Sequence, residues 1–228
     1  MRPTLAFDAD DTLWHNETHY AETQAAFRAL LRPFHDDAWI DARLHETEMR
    51  NLRRYGYGIK GFTLSMIETA LELTEHRLDG AGIQTVLDLG KAMLDKPVEP
   101  LPGVAEVLGA LAGTYDLMLI TKGDLFDQET KVAKSGLGGH FAKVEIVSEK
   151  DQATYAALLQ RHGIRPADFT MVGNSVKSDI LPVLALGGRA VHIPYHLTWA
   201  HEVVAIPAES PFPVLDSIQE LPALLRDW

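Results

Sequence analysis

Five short, almost wholly apolar runs constrain this chain most: Thr4 to Asp8, Leu117 to Thr121, Val144 to Val147, Thr170 to Gly173 and Ala190 to Ile193. Runs of this length without polar alternation read as strands covered on both faces, as in a parallel sheet. Helical patterns separate the last four. Pro102 to Ala112 precedes the second run, and Asp124 to Ser135 follows it, ending at Gly136 and Gly138. Asp151 to His162 follows the third and stops at Gly163, and Asp179 to Leu186 follows the fourth and stops at Gly187-Gly188. This alternation specifies an α/β fold, a Rossmann-like doubly wound parallel sheet, whose ligands bind beyond the carboxyl ends of the strands.

The stretch from about His15 to Val98 breaks the alternation, being far longer than a crossover requires. It reads as mostly helical over Ala21 to Leu31, Ala38 to Arg53, Thr63 to Leu73 and Ile83 to Leu94. Pro33, the Tyr55-Gly56-Tyr57-Gly58 turn and Asp79-Gly80 punctuate it. The expected organisation is an α/β core domain made of residues 1–14 and 99–228, with a helical cap domain inserted at 15–98. Ser217-Ile218-Gln219-Glu220 has the capping-box pattern and should open a last short helix.

At 228 residues and 46% hydrophobic, the chain can bury a core without staples, and it has no cysteine to make any. Disulfides, thiolate metal sites and Cys nucleophiles are therefore excluded. No signal peptide is visible, and no apolar run approaches the roughly 18–20 residues that span a bilayer, so the expectation is a soluble, cytoplasmic protein. The formal net charge of −11 argues against nucleic acid or an anionic membrane as partner, since both require clustered Lys and Arg. It does not exclude a small anionic substrate.

The first run ends in carboxylates. In Phe7-Asp8-Ala9-Asp10-Asp11-Thr12, Asp8 and Asp10 stand two apart, which on a strand sets them on one face. Like charges so placed call for a divalent metal, for a nucleophile with an acid/base partner, or for both. The other strand ends add Thr121, Lys150 in Ser148-Glu149-Lys150-Asp151, and Gly173-Asn174-Ser175-Val176-Lys177-Ser178-Asp179. Two carboxylates, a hydroxyl, a lysine and a further acid at successive strand ends suit phosphoryl transfer. Asp11 reads as structural, Asp124 as a helix cap, and Asp179 as an N-cap that could also serve the site. His15/His19 and His192/His196 have metal-binding spacing but no third ligand nearby. The Tyr195-His196-Leu197-Thr198-Trp199 segment reads as packing or a pocket rim, and Trp14, Tyr55 and Tyr57 as packing or pocket lining.

On these motifs the sequence resembles the haloacid dehalogenase superfamily. Asp8-Ala9-Asp10-Asp11-Thr12 matches its first motif, Thr121 its second, Lys150 its third, and Gly173-Asn174 with Asp179 its fourth, all in order with the cap between the first and second. The resemblance implies that Asp8 is the nucleophile and Asp10 the acid/base. It implies that Thr121, the adjacent Lys122 and Lys150 hold the phosphate. Asp8, Asp10 through its carbonyl, Asn174 and Asp179 would hold Mg²⁺. Asn174 stands where the family more often has Asp, which lowers the charge offered to the metal. Asp10 favours a phosphatase over a dehalogenase, because an alkoxide leaving group needs a proton and a halide does not. The implied activity is Mg²⁺-dependent hydrolysis of a small phosphorylated metabolite by a monomer or homodimer. A phosphate mutase, a 2-haloacid dehalogenase and a non-enzymatic phospho-acceptor or metabolite-binding module are the alternatives.

Overall fold

The computed structural model describes residues 2–205 and 212–228. By its internal packing the chain divides into an α/β unit, Met1–Glu17 with Val98–Lys122 and Gln128–Trp228, and a helical unit, Thr18–Pro97 with Gly123–Asp127.

In the α/β unit, β1 (Thr4–Phe7), β2 (Asp116–Lys122), β3 (Lys143–Val147), β4 (Phe169–Gly173) and β5 (Arg189–His192) form one parallel sheet in the order β3-β2-β1-β4-β5. Phe7 pairs with Leu119 on one side and Val172 on the other, so β1 is central and buried throughout. Its side chains alternate between two cores. Leu5 and Phe7 pack with Leu119, Val172 and Val191, and with Val104 and Leu108 of α5 (Val104–Leu111). Ala6 points the other way, with Met118, Ile120 and Met171, onto Tyr155, Leu158 and Leu159 of α7 (Gln152–His162). Cover on both faces is why β1, β2 and β4 carry no polar alternation, whereas the edge strand β3, expected to be covered like them, is only partly buried and carries Lys143 and Glu145. The chain runs outward through β2 and β3, then crosses to β4 and β5. The strand order therefore reverses beside β1, where doubly wound sheets open a crevice at the strand ends.

The helical unit contains α2 (Asp37–Tyr55), α3 (Ile59–Leu73) and α4 (Gly80–Asp95), together with α1 (Glu17–Leu31), whose first residue belongs to the α/β unit. Asp36 caps α2 by accepting the Trp39 N–H, and Asp79 caps α4 by accepting the Gly82 N–H, each at 2.8 Å. Phe27, Ile40, Leu44, Phe62, Met66 and Val86 form its core.

One helix differs from expectation. The segment after β4 begins at Val176, not Asp179, and runs as a π-helical turn (Val176–Ile180) into the short α8 (Leu181–Ala185). The Leu181 N–H bonds to Val176 O, five residues back, and Pro182 has no N–H to continue an α-helical ladder. The chain closes with α9 (Leu221–Arg226), entered through Ser217, which accepts the Gln219 N–H. Among the described residues no helix is long and apolar enough to cross a membrane.

Candidate active site

The first strand delivers its carboxylates through a turn. After Phe7 the ladder continues by one bond, Asp8 N–H to Val172 O at 2.9 Å, and then the Leu13 N–H reaches back to Ala9 O at 2.8 Å. Asp11 adopts φ 62°, the left-handed region that Asp enters more readily than most side chains. Its carboxylate accepts the Asn16 and Glu17 N–H groups at 2.8 and 3.0 Å, so it anchors the start of α1. Burial pushes Asp11 up to about 8. The turn also separates the two acids that an unbroken strand would set side by side: Asp8 and Asp10 face different lysines.

Asp8 belongs to a buried cluster. Lys150, three residues beyond β3, pairs its Nζ with Asp8 Oδ1 and with Asp179 Oδ1, the latter at 2.8 Å. The Lys150 and Asp179 side chains are only 2% and 1% exposed. Two carboxylates thus share one ammonium in a dry place. Burial pushes Asp8 up to about 7; Asp179 adds to the rise and Lys150 opposes it. Burial also works against the charge on Lys150, but Asp179 and Asp8 outweigh it and hold the ammonium protonated. Gly173 makes room for this arrangement: a Cβ there would lie 2.2 Å from Asp179 Oδ2. The Ser175 N–H fixes that same oxygen at 3.0 Å. Thr12 joins the first and fourth strand ends. Its single hydroxyl hydrogen faces Asp8 Oδ2 at 3.1 Å and Asn174 Oδ1 at 3.3 Å, while its oxygen accepts the Asn174 N–H at 3.1 Å.

Asp10 has a more open neighbourhood, with its side chain 22% exposed. Lys131, on α6 (Leu125–Lys134), donates to both carboxylate oxygens at 3.0 Å and to Asn16 Oδ1 at 2.9 Å. The Trp14 indole N–H donates to Oδ1 at 2.7 Å. Gln128 Nε2 lies 3.1 Å from Oδ2, 2.5 Å from Thr121 Oγ1 and 3.2 Å from Lys122 O. Two of those three neighbours can only accept, which sets the orientation of the amide. One side chain of α6 therefore links Asp10 to Thr121.

Lys122, expected beside Thr121 as a phosphate contact, gives its ammonium to Glu202 and to Ser178 Oγ, the latter at 2.9 Å. The N-cap expected of Asp179 belongs instead to Ser175, whose Oγ accepts the Ser178 N–H at 3.1 Å. Asp124 does cap α6, accepting the Asp127 N–H at 3.0 Å. The histidines bind side chains and backbone: His15 Nδ1 meets Tyr195 OH at 2.6 Å, and His192 Nε2 donates to Asn174 O at 3.0 Å. Gln128, Lys131 and Glu202 were not among the expected site residues. Gln128 and Lys131 stand three apart on a helix that follows a strand end, a spacing that shares one helix face. Glu202 lies in a single isolated turn, too short to leave a periodic signal.

Among the described residues, no three His, Cys, Asp or Glu side chains gather closely enough to hold a metal ion. Mg²⁺ does not need such a cage, because it is commonly bound by one or two carboxylates together with waters and a substrate phosphate. Asp8, Asp179 and Asn174 offer oxygen donors only, and the first two exceed the positive charge buried with them. That donor set fits a hard divalent cation.

The family of haloacid dehalogenase-like hydrolases matches residues 3–187. The crystal structure of a haloacid dehalogenase-like family hydrolase from Xanthomonas campestris is 42% identical, covers 99% of this chain and 91% of its own, and superposes with a TM-score of 0.88. The chain belongs to the haloacid dehalogenase-like hydrolase family. The N-acylneuraminate-9-phosphatase of Rattus norvegicus is 28% identical over 131 residues, 54% of this chain; the match spans about half the length of that relative, 50%. The magnesium-bound HAD-hydrolase YfnB of Bacillus subtilis shares the fold, with a TM-score of 0.67 at 16% identity and 98% of each chain covered.

Proposed function

We propose that this chain is a Mg²⁺-dependent phosphatase that hydrolyses a small phosphorylated metabolite through an aspartyl-phosphate. The observation that carries the reading is the partition of the two acids of one turn. Asp8 is buried against Lys150 and Asp179, whereas Asp10 is more open and oriented by Lys131, Trp14 and Gln128. A nucleophile and an acid/base need separate settings of this kind. The name of the rat relative, a phosphatase, and the magnesium described for YfnB point the same way.

In the first half-reaction an Asp8 oxygen attacks phosphorus. The bond from phosphorus to the ester oxygen breaks, and Asp10 gives that oxygen its proton. In the second, water attacks the phosphorus of the acyl phosphate, Asp10 takes the proton from the water, and the Asp8–phosphate bond breaks to release inorganic phosphate. Thr121 and Lys150 hold non-bridging oxygens. Asp8, Asp179 and Asn174, with the Asp10 carbonyl, would hold Mg²⁺, which when bound neutralises charge on the phosphoryl group. The helical unit, most of it inserted in the chain between β1 and β2, is read as the cap that selects small substrates. A dehalogenase would leave Asp10 without a task, since a departing halide takes no proton.

Hydrolysis of an aryl phosphate, with and without Mg²⁺ and with Asp8→Asn as control, tests the reading. Mg²⁺-dependent phosphate release that disappears in Asp8→Asn is the expected result. Full activity in Asp8→Asn would remove the covalent route. Release of halide from a 2-haloacid, without any release of phosphate, would replace the phosphatase by a dehalogenase.

A further inference from the structure

The segment after β5 carries Glu202 into the interior of the α/β unit, on a single turn (Ala200–Glu202). Its side chain is only 10% exposed, and its carboxylate meets three side chains from two strand ends. One oxygen pairs with Lys122 Nζ, at the end of β2. The other accepts the Ser175 and Ser178 hydroxyls, the latter at 2.6 Å. Donors and acceptors match throughout. Ser178 Oγ gives its hydrogen to Glu202 and accepts from Lys122, and Ser175 Oγ gives its hydrogen to Glu202 and accepts the Ser178 N–H. The same Ser175 presents its own N–H to Asp179 Oδ2. A continuous path therefore runs from Glu202 through Ser175 to Asp179 and on through Lys150 to Asp8. The backbone around Glu202 is anchored as well, because Lys177 Nζ donates to His201 O at 2.8 Å.

We infer that Glu202 is a positioning residue: it holds the loop from Asn174 to Asp179 in the shape that presents Asn174 and Asp179 to the site, with Lys122 as its counter-ion. The inference rests on the phosphatase reading only for what the loop presents its oxygens to. Burial works to raise Glu202, but Lys122 and the two serine hydroxyls outweigh it and bring it down to about 2, so it remains an acceptor throughout the neutral range. A carboxylate is required because three donors converge on it. An amide in its place would turn N–H groups either toward the Lys122 ammonium or toward the two hydroxyls.

Two variants test this, Glu202→Gln and the double variant Glu202→Gln/Lys122→Met, which also removes the ammonium that has lost its nearest carboxylate. Hydrogen exchange of the metal-free protein, read by mass spectrometry over residues 172–181, should rise about tenfold in Glu202→Gln, with the amides of β1 and α5 unchanged. Calorimetric titration with MgCl₂ alone should show Mg²⁺ bound about tenfold more weakly. The double variant should regain thermal stability but neither the exchange protection nor the Mg²⁺ affinity. Unchanged exchange in folded Glu202→Gln overturns the inference. So does recovery of protection in the double variant, which would mean that Glu202 serves only to neutralise Lys122. If the unaltered protein binds no Mg²⁺, the Mg²⁺-dependent reading falls while the exchange data still decide the role of Glu202.

Discussion

The two units of this chain handle charge in opposite ways. In the α/β unit, lysines are drawn inward: Lys150 onto Asp8 and Asp179, Lys122 onto Glu202, and Lys131 onto Asp10. In the helical unit, the ion pairs lie outside. Arg32–Asp37, Arg50–Glu68 and Lys91–Asp88 have side chains between 43% and 63% exposed, around a core of Phe27, Ile40, Phe62 and Met66. Inward charge is expensive, because taking an ion out of water is repaid only by close partners and full hydrogen bonding. A fold tolerates it where the chemistry uses it. The contrast therefore separates the unit that carries the candidate chemistry from the unit that needs charge only at its surface.

The comparison would break first at Asp10. Asp10→Asn keeps the shape but loses proton transfer, and turnover should fall roughly 10²- to 10⁴-fold. The loss should be larger on an alkyl phosphate than on an aryl phosphate, whose leaving group departs without a proton. Values of kcat/KM on the two substrate classes, which report only the first half-reaction, check this, and equal losses on both would remove Asp10 as the acid. The next largest effect belongs to Lys150. Lys150→Met leaves Asp8 and Asp179 buried without a cation, which should destabilise the fold by about 3–5 kcal/mol. Added Mg²⁺ should raise the denaturation midpoint of Lys150→Met by more than it raises that of the unaltered chain. An unchanged midpoint in Mg²⁺-free buffer would mean that the cluster is not held by its charges.

The part of this site legible in the sequence is the part that stands at strand ends. Asp8, Thr121, Lys150 and the Gly173–Asp179 segment each follow an apolar run, and a parallel sheet gathers the ends of its strands whatever the intervening sequence. Boundaries were less legible. Asp179 has the look of an N-cap, but Ser175 takes that position because the turn there is π-helical and begins three residues earlier. Lys122 is adjacent to Thr121 in sequence, yet adjacent residues on a strand point to opposite faces, and its ammonium is taken by Glu202. Gln128, Lys131 and Glu202 were hidden for a simpler reason. A polar residue on a helix or a short turn reads as solvated unless its partner is known, and the charged partners are distant in the chain: Gln128 to Asp10 spans 118 residues, Lys131 to Asp10 121, and Lys122 to Glu202 80.

Acid sharpens the comparison further. Glu202 has a folded pKa of about 2 against 4.5 unfolded. A lowered carboxyl contributes stability that is fully present above the unfolded value and is lost as pH falls toward the folded one. The window is therefore pH 4.5 down to about 2, and the contribution is about 3 kcal/mol. Urea midpoints of the unaltered chain and Glu202→Gln should be far apart at pH 6 and converge on descending through that window. Parallel curves would show that the Lys122 pair contributes no pH-dependent stability. His201 and Glu149 face the same group of charges and are retained in both proteins, so the difference between the curves isolates Glu202.

The smallest effect is expected in the helical unit, and it is the most discriminating. Glu68 is gripped from two sides, by Arg50 Nη2 and by Asn51 Nδ2, each at 2.7 Å. Arg50 and Glu68 are both nearly half exposed, so Arg50→Met should lower stability by no more than about 1 kcal/mol, and by less in high salt. Asn51 is 3% exposed and also reaches Ser65 Oγ at 3.3 Å, so Asn51→Ala should lower it by about 1–3 kcal/mol whatever the salt. The same carboxylate thus has one partner that water can replace and one that it cannot. If Arg50→Met proved as damaging as Lys150→Met, burial would not be what distinguishes the charges of the two units, and the separation drawn between them would fail.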